Sequence, residues 1–161
     1  MKIKWKLKSL ALGSLIAALY AILTIVFAPI SYGPVQFRVA EALTLLPFYF
    51  PEAIPGLFVG CFIANFFGNG MLDVFAGSLA TLAAAYLSRK MPRLWLAVLP
   101  PILVNMAVIG ALLHYLLDVP LWSTAFYVGL GQAGACCLLG FPLMKALENR
   151  GILRRRQKDK K

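Results

Sequence analysis

The sequence predicts an all-α membrane protein of six transmembrane helices with N and C termini cytoplasmic. Three observations carry that prediction. First, 61% of the 161 residues are hydrophobic and mean hydropathy is +0.80, more apolar surface than a soluble domain of this size can bury. Second, from Ser9 to Ser88 only Arg38, Glu41, Glu52 and Asp73 carry charge. Third, basic residues gather at three places: Lys2, Lys4, Lys6 and Lys8; Arg89, Lys90 and Arg93; and Lys145, Arg150, Arg154, Arg155, Arg156, Lys158, Lys160 and Lys161. Lys and Arg collect on the cytoplasmic side of membrane proteins. If all three clusters lie there, the chain crosses the bilayer an even number of times in each interval.

The apolar stretches divide accordingly. The first helix is expected over residues 9–27, the second over 36–50, the third over 53–67, the fourth over 72–88, the fifth over 94–117 and the sixth over 121–147. An exit and a return in each pair bring every basic cluster to one side. The first helix has a basic leader, but it is long for a signal h-region and no A-x-A site follows, so it is read as retained. The connection from Ala28 to Val35 holds Pro29, Gly33 and Pro34, which stop a helix and stiffen a turn. The second and third helices are short. Fifteen residues of α-helix reach only ~22 Å against a ~30 Å hydrocarbon core, which draws the Pro51-Glu52 turn inward. Residues 1–150 read as one membrane domain and 151–161 as a basic cytoplasmic tail.

Small residues recur every fourth position: Gly13, Ala17 and Ala21; Gly56, Gly60 and Ala64; Ala76, Ala80 and Ala84. Such stripes let helices approach closely in lipid. The first stripe lies on a terminal helix and is the candidate surface for docking a partner.

The net charge of +10 would suggest nucleic acid in a soluble protein. Here the basic residues flank membrane segments, where anionic headgroups suffice, so no nucleic-acid partner is expected. Cys61, Cys136 and Cys137 sit in apolar segments without metal-ligand spacing, and no metal is expected. Enzyme signatures are missing: no G-x-S-x-G, no H-E-x-x-H and no phosphate-cradling Gly-Lys motif. An intramembrane enzyme is disfavoured, no catalytic residue is assigned, and no cofactor is expected.

Polar residues in the apolar stretches are the candidate site. Arg38 and Glu41, three apart, share a helix face, and charge facing lipid is costly, so both should point inward. Their bland role is an ion pair with each other. Gln36 precedes them, and Asn65, Asn69 and Asp73 fall at the same outer depth. Asn105 and Gln132 serve either as interhelical hydrogen bonds or as the floor of a pocket. Such convergence suits a polar ligand. A stand-alone carrier or channel, working as a homodimer, is the alternative. It would need a polar path to the inner side, which the inner halves of the third and fourth helices barely offer.

The string Phe27-Ala-Pro-Ile-Ser-Tyr-Gly-Pro-Val-Gln-Phe-Arg-Val-Ala-Glu-Ala-Leu43, with Tyr20 to Thr24 before it and Gly60-Cys61-x-x-Ala64-Asn65 after, resembles the QueT family. The resemblance spans nearly the whole chain, and Gly-Pro-x-Gln-Phe-Arg-x-x-Glu is its specific part. It implies a substrate-capture (S) component of an energy-coupling factor (ECF) transporter, taking a queuosine precursor. Such a component binds substrate from outside. It then docks on a transmembrane coupling protein with two ATPase subunits, which use the ATP. A 7-deazaguanine base presents adjacent N–H donors that one carboxylate can accept together. Glu41 is the first choice for that carboxylate and Asp73 the second. Arg38, Gln36 or Asn65 would donate to the base's carbonyl, and Tyr32 and Phe37 would stack on its ring.

Overall fold

The computed structural model describes residues 7–33, 35–68 and 70–153. Among the described residues the regular elements are all helical, with no strand. Helix α1 (Leu7–Val26) is followed by a single turn, α2 (Ala28–Ser31), set off where Pro29 cannot continue the helix. A 3-10 helix covers Val39–Phe48, then α3 (Ala53–Gly68) and α4 (Met71–Lys90) follow. The short α5 (Leu94–Ala97) leads into α6 (Leu99–Leu117). Helix α7 (Leu121–Ala133) continues through a π-helical segment, Gly134–Gly140, into α8 (Phe141–Asn149). Four of the apolar stretches are long enough to cross a membrane: Leu7–Val26, Met71–Lys90, Leu94–Leu117 and Leu121–Asn149. Val39–Phe48 and Ala53–Gly68 are shorter.

Helix α1 packs on α3, α3 on α4, α4 on α6, and α6 on α7. Enclosed by this row, the 3-10 helix touches α1, α3, α4, α5, α8 and the π segment. It is buried along nearly its whole length, Leu45 and Glu41 completely. One apolar cluster joins it to α1 and α3 through Tyr20, Leu43 and Leu57; a second joins it to α5 and the π segment through Leu45, Tyr49, Ala97 and Cys136.

Four expectations need correction. The second helix is not an α-helix over 36–50. Residues 36–38 are extended and the 3-10 helix begins at Val39. Pro47 lies inside it and offers no N–H. The 3-10 form rises ~2.0 Å per residue, so ten residues cover ~20 Å, about as far as the expected fifteen in α form. The fifth stretch is broken before Leu99 because Pro100 and Pro101 cannot donate to the preceding turn. The sixth carries the π segment just ahead of Pro142.

The third correction concerns the first small-residue stripe, expected on a docking surface. The structure places it against α3. A Cβ at Gly56 would lie 2.5 Å from the Gly13 carbonyl oxygen, and one at Gly60 would lie 2.6 Å from that of Ala17. Ala17 and Ala21 are buried. Without hydrophobic drive in lipid, two helices gain most from backbone-to-backbone approach, and the matching stripe of α3 permits it here. Only an edge of the seam remains open, a groove of about 130 Å³ that includes Gly13, Ala17 and Gly56.

Fourth, residues 151–153 do not belong to a tail. Gly151, at φ 71°, ends α8 in a Schellman turn: its N–H donates to Glu148 and that of Ile152 to Leu147. Leu153 is tucked into the second cluster. The rest of the basic tail, and Lys2, Lys4 and Lys6, lie outside the described residues.

Candidate functional site

Chain direction gives the bundle two unlike ends. Lys8 opens α1, Arg89 and Lys90 close α4, Arg93 precedes α5, and Lys145 and Arg150 lie at α8, all at one end. At the opposite end lie the 32–38 connection, the start of α4, the end of α6 and the start of α7. There they surround a cavity of about 660 Å³.

One wall of the cavity is polar. Tyr32, Gln36 and Asp73 line it. Gln36 is buried and sits at φ 48°, in the left-handed region that costs a non-glycine residue ~1–2 kcal/mol. Its N–H donates to Gly33 at 3.0 Å and its carbonyl accepts from Arg38 at 2.9 Å, so the strained residue is held from both sides. The opposite wall is apolar, built from Leu112, Leu113 and Leu116 of α6 with Val119 and Tyr127. Ser123 and Thr124 complete it, but both hydroxyls already donate to the Pro120 carbonyl, at 3.0 and 2.8 Å.

Behind the polar wall is a buried network. Arg38 Nη2 pairs with Asp73 Oδ2 at 3.0 Å, both side chains only 3% exposed. Its Nε donates to the Ser31 carbonyl at 3.4 Å, and its guanidinium lies 5.3 Å from the centre of the Tyr32 ring. The Tyr32 hydroxyl donates to the Ala64 carbonyl at 2.7 Å. Burial pushes the Tyr32 phenol up, with Arg38 opposing, so this donor stays protonated. Asn65 Nδ2 donates to the Asp73 carbonyl at 3.0 Å. Deeper still, Glu41 Oε1 accepts from the Tyr20 hydroxyl at 2.5 Å.

Both charges on the shared face therefore point inward, as expected, but Arg38 pairs with Asp73 and not with Glu41. The structure brings Tyr32, Gln36, Arg38, Asn65 and Asp73 together. Glu41 lies behind them, outside the cavity lining. Phe37 turns away and packs against the π segment, where a Cβ on Gly134 would meet its ring at 2.6 Å. Asn105 and Gln132 are buried on α6 and α7, also outside the lining. Asn69 lies outside the described residues. Several buried polar atoms have no hydrogen-bond partner among the described residues: Glu41 Oε2, Asn65 Oδ1, Asn105 Nδ2 and Gln132 Oε1. Burying such groups unpaired costs ~1–3 kcal/mol each.

Sequence reasoning missed Tyr20, the partner of Glu41, and the α6–α7 wall. A tyrosine amid Ala and Leu in the first helix was the available signal for Tyr20. The leucines of α6 carried none, since lipid-facing and cavity-facing leucines look alike in sequence.

The model of the QueT transporter family matches residues 10–149. The chain belongs to the QueT transporter family. It is thus a multi-pass protein of the cell membrane. It is similar to the queuosine precursor transporter QueT of Lactococcus lactis subsp. cremoris (strain MG1363), 44% identical over 71 residues. That match spans 43% of this chain and 42% of the Lactococcus protein. No solved structure matches. Within this QueT family chain, the cavity and its Arg38–Asp73 network fall inside the matched region.

Proposed function

We propose that this chain is the substrate-capture component of an ECF-type importer, binding a 7-deazaguanine queuosine precursor from outside. The four long helices and the two shorter ones, 39–48 and 53–68, make six crossings, with both termini cytoplasmic. The positive-inside rule orients the bundle: the end carrying Lys8, Arg89, Lys90, Arg93, Lys145 and Arg150 faces the cytoplasm, and the cavity faces out. That opposition of cavity and basic end is the observation that carries the reading. Residues 1–153 act as one substrate-binding domain.

Asp73 is the carboxylate best situated to accept the paired donors of a 7-deazaguanine, since it lines the cavity. Gln36 supplies a donor to the base's carbonyl and Tyr32 a ring face. The apolar wall covers the other side of the heterocycle. Transport is completed by a coupling protein and two ATPase subunits, which hydrolyse the ATP. The purified protein should carry an endogenous 7-deazaguanine identifiable by mass spectrometry. Reconstituted alone, it should transport none. A co-purifying solute of another class, or uptake without partners, would overturn the proposal.

A further inference from the structure

Glu41 is the buried carboxyl group that the cavity does not use. Its side chain is 0% exposed. One oxygen accepts from Tyr20, and the other, Oε2, has no partner among the described residues. Arg38 is three residues earlier, at the N-cap of the 3-10 helix. Arg38 is extended, but the Glu41 N–H donates to its carbonyl at 3.0 Å, which keeps the two residues within one turn of each other. The ionisable groups acting on Arg38 are Asp73 on α4, Tyr20 on α1, Cys61 on α3 and Glu41 on its own helix. Two of these are carboxylates, and Arg38 now holds only Asp73. Asp73 is also the carboxylate that lines the cavity. A ligand donating to Asp73 therefore competes with Arg38 for the same group.

We propose that Arg38 is shared between two carboxylates: when a ligand's N–H donors engage Asp73, the guanidinium moves to Glu41 Oε2. This rests on the proposed substrate site and adds to it a positioning role for Glu41. The physical reason is the cost of leaving a guanidinium without a countercharge inside a membrane protein. An exchange between carboxylates keeps the cation paired in both states, so the ligand does not have to break the buried ion pair outright. Occupancy of the cavity thereby reaches Glu41 and, through its bond to Tyr20, helix α1.

The exchange can be tested without ligand. Full-length protein in detergent is compared as wild type, Asp73→Asn, Glu41→Gln and the double variant by thermal unfolding. With Asp73 neutralised, Arg38 falls back on Glu41, so each single variant stays folded. The double variant leaves the cation with amides alone and should lose more stability than the two singles together. The excess should be about tenfold or more in the unfolding equilibrium constant. Additive losses, or an Asp73→Asn protein that does not fold, would overturn the exchange. Binding of 7-aminomethyl-7-deazaguanine is then measured by calorimetry. Glu41→Gln should weaken it by about tenfold or more while its ligand-free Tm stays near wild type; unchanged affinity also overturns the exchange. If wild type ignores this probe, the substrate reading fails, while the unfolding comparison still judges the exchange.

Discussion

Replacing Gly60 by alanine probes the α1–α3 seam where the packing leaves least room. The added methyl would lie 2.6 Å from the Ala17 carbonyl oxygen, 2.9 Å from Tyr20 Cβ and 3.0 Å from Ala17 Cα. None of these atoms is the end of a flexible side chain, so rotation brings no relief. Helix α1 has to move away by roughly 0.5–1 Å, which forfeits a quarter to a half of the dispersion energy at each loosened contact. Overpacking of this kind costs ~1–3 kcal/mol. The better helix propensity of alanine returns ~1 kcal/mol. The net loss is then up to ~2 kcal/mol, or a Tm lower by up to roughly 8 °C. Gly56→Ala, facing the Gly13 carbonyl at 2.5 Å, should act similarly. The two together should cost less than their sum, because either one already displaces α1. Ser14→Ala, on an exposed position of the same helix, is the control and should change nothing. Thermal unfolding in detergent reads all four. A Gly60→Ala protein more stable than wild type, showing the full propensity gain with no packing cost, would refute the close approach.

By the same reasoning, Ala17→Trp should destabilise the protein more than Gly60→Ala and promote aggregation, as size-exclusion chromatography would report. A well-folded Ala17→Trp protein would return this stripe to a docking role. Arg89→Ala removes the donor to the Pro47 carbonyl, 3.1 Å away at the basic end. It should cost ~1.5–3 kcal/mol of stability and leave ligand affinity unaltered, since the cavity is at the other end; a calorimetric change in affinity would contradict that separation. With Cys137 replaced by serine, Ser123→Cys should react with an impermeant maleimide from outside and be protected by 7-aminomethyl-7-deazaguanine, whereas Arg150→Cys should not react. Labelling of the 150 position instead would invert the topology.

The sequence revealed the six apolar stretches to within a few residues because charge exclusion and proline punctuation are local signals. Inward-facing Arg38 and Glu41 were legible too, since lipid leaves such residues no other direction. The choice of partner for Arg38 was not legible. It depends on α4 bringing Asp73 to the N-cap of the 3-10 helix, thirty-five residues downstream, which spacing along the chain cannot report. The 3-10 and π forms were hidden for a related reason. Periodicity hardly separates them from α-helix in a segment apolar on every side, and Pro47 and Pro142 gave only a hint. The α1 stripe was correctly read as a surface for close approach; only its partner was wrong, because Gly56 and Gly60 offered a match within the same chain.

The shortness of the 3-10 helix bears on how the protein enters the membrane. Ten residues that include Glu41 and Thr44, and sixteen in α3, each fall below the ~20 apolar residues of an independent span. Neither reaches the length of an independent span, so the two would have to partition into the membrane together. Glu52 then meets a donor already in place, because the Ser9 hydroxyl at the base of α1 donates to its carboxylate at 3.0 Å. On this geometry the short pair follows α1 into the membrane as one unit, in chain order, with α1 as its template.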